Sequence, residues 1–151
     1  MRHLALILAL CAALCPPAAL PSTGADYRSS HLDSVAERLT DRPGTILVGG
    51  LPAECAGDYG CADLDGNRIF LRPDLAVTLD HAATWQPYLV ALAVFVFCHE
   101  ARHVQGTYDE KVADRWAVAH VYRVTRLLGA DDRQARAVDR WTRWWDNRIG
   151  A

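Results

Sequence analysis

The residues that could do chemistry sit in one short stretch, His99-Glu100-Ala101-Arg102-His103. Neutral imidazole is a common metal ligand. Two imidazoles placed four residues apart on a helix are turned only about 40° from each other, one turn along the same face. Both nitrogens can then reach one Zn²⁺ at about 2.0–2.1 Å. Glu100 is rotated about 100° from His99 and lies beside such an ion, not on it, where its carboxylate can take a proton from a water. This is the HExxH arrangement. It follows the apolar run Tyr88–Cys98, a setting in which unpartnered charge is costly. The plainer alternative, surface residues at a helix end, fits that setting less well.

A catalytic zinc needs a third protein ligand and one open position. Glu110 opens Glu110-Lys111-Val112-Ala113-Asp114, which resembles the ExxAD motif on the second helix of the gluzincin metallopeptidases. If two helices form a hairpin turning near Gly106-Thr107, His103 comes level with Glu110 and His99 with Asp114. Glu110 can then reach the metal while Asp114 accepts a hydrogen bond from the far nitrogen of His99. Asp109 is the alternative metal ligand, because the string His99–Asp109 also matches a metzincin pattern. Metzincins carry a methionine turn beneath the metal, and the one methionine here is Met1. A helix cap built from Thr107-Tyr108-Asp109-Glu110 is the structural reading of the same acids, though it does not account for Asp114.

The resemblance to zincin peptidases covers about residues 68–117. It implies zinc as cofactor, a peptide or protein as substrate, and hydrolysis with Glu100 as general base. It also implies a sheet edge strand that holds substrate as an added strand, for which Arg68–Arg72 is the candidate. Spacing is the departure: Glu110 comes seven positions after His103, fewer than is usual in gluzincins. The oxyanion-stabilising group is open among Tyr88, Tyr108, Arg102 and His120. A catalytically silent zincin-fold protein that binds zinc and regulates a partner is the alternative function, and a structural helical domain without metal is a third.

The elements that must position these groups follow from periodicity. Ser30–Leu39 reads as a helix with Leu32, Val35, Ala36 and Leu39 on one face. Thr45–Val48 and Arg68–Arg72 read as strands, residues 52–67 as loop, with Asp63, Asp65 and Asn67 as turn chemistry and not a calcium loop. A buried helix runs from Pro87 to Gln105, stopped by Gly106. A second spans Glu110–Leu128, with a stripe of Ala113, Trp116, Ala117, Val121, Val124 and Leu128. A third covers residues 131–148, with Val138, Trp141, Trp144 and Trp145 as a packed face. The expected fold is α+β and zincin-like: a thin N-terminal sheet packed on a helical C-terminal half that carries the HExxH helix.

Arg2 and His3, the apolar run Leu4–Leu14, Pro16-Pro17 and the small residues Ser22–Ala25 have the order of a secretory signal. The run is too short to span a bilayer. The expectation is a signal peptide over residues 1–25 and one domain over residues 26–151, exported to the periplasm or secreted, monomeric, with no stable membrane span once the signal is removed. Removing the signal takes away Arg2 and no acid, leaving 15 basic against 18 acidic residues, net −3. That balance offers no nucleic-acid footprint. In an oxidising compartment Cys55 and Cys61, which bracket a Gly-rich loop, are expected to pair, while Cys98 lies in the apolar run as a buried thiol. His31, His81 and His120 have no motif around them and read as structural or surface residues.

Overall fold

A computed structural model describes residues 27–149; the export signal assigned to residues 1–25 lies outside them. The architecture is α+β, with five helices and one three-stranded sheet among the described residues. Helix α1 (Ser30–Thr40) leads into strand β1 (Ile46–Gly49). A 3₁₀ turn at Ala53–Cys55 precedes the hairpin of β2 (Gly60–Asp63) and β3 (Arg68–Leu71). Helices α2 (Pro73–Asp80), α3 (Pro87–Val104), α4 (Glu110–Leu127) and α5 (Asp132–Ile149) follow.

Local chemistry sets the ends of these elements. Ser29 caps α1 by accepting from the Leu32 amide at 3.4 Å, and Asp41 closes it in the left-handed region, φ 54°. Pro87 begins α3, where its missing amide hydrogen costs nothing. Gly106 ends that helix at φ +98°, a conformation open to a residue without Cβ. Its amide donates to the His103 carbonyl at 2.7 Å, so the chain reverses within a few residues and α4 starts at Glu110.

Helix α3 is apolar on most of its circumference and is covered accordingly. Val90, Val94, Phe97, Cys98, Ala101 and Val104 are buried in one cluster with Leu32 and Val35 of α1, Ile69 and Leu71 of β3, Leu75 and Leu79 of α2, Val121 and Val124 of α4, and Val138 of α5. No helix among the described residues is long and apolar enough to cross a membrane. In α4, Ala113, Ala117, Val121 and Val124 face inward, and Trp116 packs half-buried against the cluster.

The sheet order is β1-β3-β2, with β1 parallel and β2 antiparallel to β3. Segment 68–72, expected at the edge, is instead the central strand, because β2 forms from residues read as loop. Gly60-Cys61-Ala62-Asp63 has no β-branched residue to mark it, and its strand character comes from pairing with Leu71, Phe70, Ile69 and Arg68. Beyond β1, Tyr27 bridges Gly49, so among the described residues the edge without any bridge is that of β2. Gly49 is required by this closeness: a Cβ there would stand 2.6 Å from the Tyr27 Cβ and 2.8 Å from the Ala76 Cβ.

One further helix and one correction follow. Pro73 opens α2, a helix whose eight residues are too few to display a clear period in the sequence. On α5 the packed face is Ala135, Val138, Thr142 and Trp145, whereas Trp141 and Trp144 are about two-fifths exposed. Trp144 carries Arg148 over its ring at 4.4 Å, an exposed cation–π contact that lets the indole lie at the surface. Cys55 and Cys61 form a disulfide, and Cys98 is a buried free thiol.

Candidate metal centre

The turn at Gly106 lays α4 back along α3 and brings the HExxH imidazoles against the start of α4. His99 Nε2 lies 2.9 Å from His103 Nε2 and 3.1 Å from Glu110 Oε2, and His103 Nε2 lies 3.6 Å from Glu110 Oε1. These three residues form a group whose donor atoms all fall within 4.8 Å and which could hold a metal ion. The seven-residue spacing from His103 to Glu110 suffices because the reversal between the helices is so tight.

The opposite nitrogens decide what the converging ones can offer. His99 Nδ1 is 2.8 Å from Asp114 Oδ1, and His103 Nδ1 is 2.6 Å from the Thr107 carbonyl oxygen. A carbonyl oxygen accepts only, and so does an ionised carboxylate, so each Nδ1 carries the proton and donates. In the neutral rings each Nε2 therefore turns a lone pair inward, toward the other and toward Glu110. Two facing lone pairs beside a carboxylate make a donor set for a cation, and the Nδ1 partners fix the ring orientations. The side chains of His99 and His103 are each 14% exposed, while Glu110 is 73% exposed. The centre is thus a largely covered imidazole floor closed by a carboxylate at the surface.

Asp109 sits differently. It is the N-cap of α4, its carboxylate accepting from the Val112 amide at 3.1 Å, and it is not in the converging group. The cap that composition suggested is thus built on Asp109 itself, one residue before Glu110.

Glu100 is 8% exposed and its pKa is pushed up to about 7. Burial is the main cause; the charges of Glu110 and Asp58 add to it, and His99 opposes it. A carboxyl tuned to that range can take and return a proton near neutral pH. His99 is raised from its ordinary value. Desolvation pulls it down, but the Asp114 hydrogen bond and the charges of Glu100, Asp114 and Glu110 outweigh that. Around the two imidazoles stand the carboxyl groups of Glu100, Glu110 and Asp114, oxygen donors suited to a cation.

Sequence reasoning missed Gly60. A Cβ at this position would lie 2.9 Å from Val96 Cγ1, 2.9 Å from Leu71 Cδ2 and 3.0 Å from Glu100 Cγ. Strand β2 therefore rests directly on the Glu100 stem, and only glycine permits that approach. The available signal was a glycine at the end of a Gly-rich loop, next to a cysteine. Of the oxyanion candidates, Tyr88 lies in the first turn of α3, far along the helix from His99, edge-on to Trp141. His120 and Arg102 border a different cleft. Tyr108 is 79% exposed and lines a cleft of about 630 Å³ with the disulfide, Asp63 and Phe70. Comparison with protein-family models, curated proteins and solved structures returned no match.

Proposed function

We propose that this chain is a zinc-dependent peptidase, in which His99, His103 and Glu110 hold Zn²⁺ and Glu100 is the general base. The observation that carries the reading is the convergence of two Nε2 lone pairs and the Glu110 carboxylate, with both Nδ1 atoms tied to acceptors behind them. Nitrogen and carboxylate ligands in this number, with a position left open, are the set expected of a catalytic zinc. Zinc bound there would polarise a substrate carbonyl and make a water acidic near neutral pH. Glu100, one residue on from His99, accepts the proton of the attacking water and passes it to the leaving amine nitrogen. Asp114 and the Thr107 carbonyl hold the two rings in the tautomer that keeps Nε2 basic.

The edge of β2 is the natural seat for substrate. It carries no further strand among the described residues, and it lies against Glu100 through Gly60. An extended peptide pairing with it would run past the metal ligands as an added strand. The substrate-strand role that the zincin resemblance attached to Arg68–Arg72 accordingly moves to β2. Among the oxyanion candidates, Tyr108 is two residues from Glu110 and exposed enough to swing, so it is the one we favour.

Glu100→Gln is the test, because it keeps the side chain's shape and removes its basicity. Bound zinc, read by elemental mass spectrometry, should stay near one per chain. Cleavage of a mixed peptide library should fall by about 10²–10⁴-fold. A wild type that holds zinc fully and cleaves nothing would favour the silent zinc-binding alternative. Equal cleavage by Glu100→Gln would refute the mechanism.

A further inference from the structure

On the far side of Arg102 the α3–α4 pair borders a second cleft, of about 590 Å³, closed by the C-terminal end of α1. It contains none of the metal-centre residues. Four arginines line it: Arg38 and Arg42 from the end of α1, Arg102 from α3 and Arg123 from α4. Among the described residues none of the four has a carboxylate within ion-pair distance, a condition shared with Arg115, Arg126, Arg133, Arg140 and Arg148; what sets the four apart is that they line one cleft. Arg42 donates to Asn67 Oδ1 at 3.3 Å and Arg102 to Gln105 Oε1 at 2.9 Å, both neutral acceptors. The Nε of Arg102 is buried with no hydrogen-bond partner, so this guanidinium's hydrogen bonding is not fully satisfied within the protein.

Neighbouring dipoles do not absorb this charge. The C-terminal ends of α1 and α3 both approach the cleft, and each is equivalent to about −0.5 charge. Asp41, which also lines the cleft, adds −1. Against four guanidinium groups this leaves an excess of about +2. In a chain whose formal net charge is −2, such a local surplus does not follow from composition. One wall is a flat aromatic pair, Trp116 and His120, stacked at 3.8 Å between centroids, with the Arg102 guanidinium 6.0 Å from the Trp116 ring centre.

We propose that this cleft is a binding site for a doubly charged oxyanion of the phosphate type, gripped by Arg38, Arg42, Arg102 and Arg123. Guanidinium forks match phosphate oxygens in geometry as well as charge. The Trp116–His120 face would lie beside any organic portion, so a phosphate monoester fits the space better than the bare ion. The site stands apart from the zinc reading and does not depend on it.

Calorimetric titration of the metal-loaded protein with inorganic phosphate and, separately, with glycerol phosphate tests this, with chloride at matched ionic strength as reference. Both phosphates should bind, and tighter binding of the ester would identify a monoester as the intended occupant. Arg38 and Arg123 are exposed, so Arg38→Glu/Arg123→Glu should fold, as circular dichroism can verify, and bind either ligand at least about tenfold more weakly. Arg38→Gln/Arg123→Gln, which removes charge without reversing it, should weaken both as well. The proposal is overturned if neither phosphate gives more heat than chloride. It is equally overturned if binding is the same in both double variants, which would place the anion at the metal centre or elsewhere.

Discussion

The two sides of the α3–α4 hairpin make opposite use of ionisable residues. On one side His99, His103, Glu110 and Asp114 are interlocked, with each ring nitrogen facing a named partner. On the other, four arginines gather with no acid paired to any of them among the described residues. Arg102 lies between the two histidines in sequence, yet its side chain belongs to the second side. The lesson is that a single helical turn carries two chemistries when successive residues point about 100° apart. An interlocked cluster is tuned for geometry, whereas one without paired acids leaves its charge uncompensated.

Breaking the interlocked side should have the largest effect. His103→Ala removes one of three donors and leaves Glu110 facing one imidazole, so bound zinc should fall to near zero by elemental analysis. Asp114→Asn keeps the shape but weakens the support of His99, and loss of such partners typically costs about 10–100-fold in metal affinity. A competition titration against a chelator reads this directly. If Asp109→Ala loses zinc while Glu110→Ala retains it, the ligand set is wrong.

Gly60→Val sharpens the comparison by displacing the interlocked side and not the other. Its side chain would collide with Val96, Leu71 and the Glu100 stem, and overpacking of this kind costs about 1–3 kcal/mol. Denaturant unfolding should report that loss. Peptide cleavage should fall further than stability alone explains, and phosphate binding should be untouched. A loss of both functions together would mean that the two sides are not independent.

The cysteines affect stability and reactivity but neither site directly. Reducing Cys55–Cys61 releases a short loop, so a chain-entropy cost of about 2–3 kcal/mol is expected in denaturant melts. Cys98 is buried and its thiol is pushed well up by desolvation. Iodoacetamide should therefore leave it unlabelled in the native protein and label it only on unfolding. Fast native labelling would mean that α3 is not packed as described.

Much of this is legible in the sequence. The helix lengths of α3 and α4 follow from Pro87, Gly106 and apolar spacing, and the level pairing of His99 with Asp114 follows from counting residues around the turn. What was hidden was whatever depends on a distant partner. Strand β2 is a strand because β3 pairs with it, and its four residues hold no propensity of their own to reveal this. For the same reason neither the sheet edge nor the role of Gly60 can be read from local pattern. The arginine cleft escaped notice because Arg38, Arg42, Arg102 and Arg123 are scattered in sequence and meet only when α1 docks, a docking held in part by Gln105 donating to the Leu39 carbonyl at 3.1 Å.

The unequal burial of the three converging residues has a kinetic side. His99 rides on a helix locked into the core, so its amide should exchange hydrogen with solvent only on global unfolding. Glu110 stands in the first turn of α4, 73% exposed, where helix ends open locally and often. An ion seated here would leave by the Glu110 door while His99 stays folded. Its dissociation rate should then track the fraying of α4 and be nearly indifferent to substitutions in the core that change overall stability.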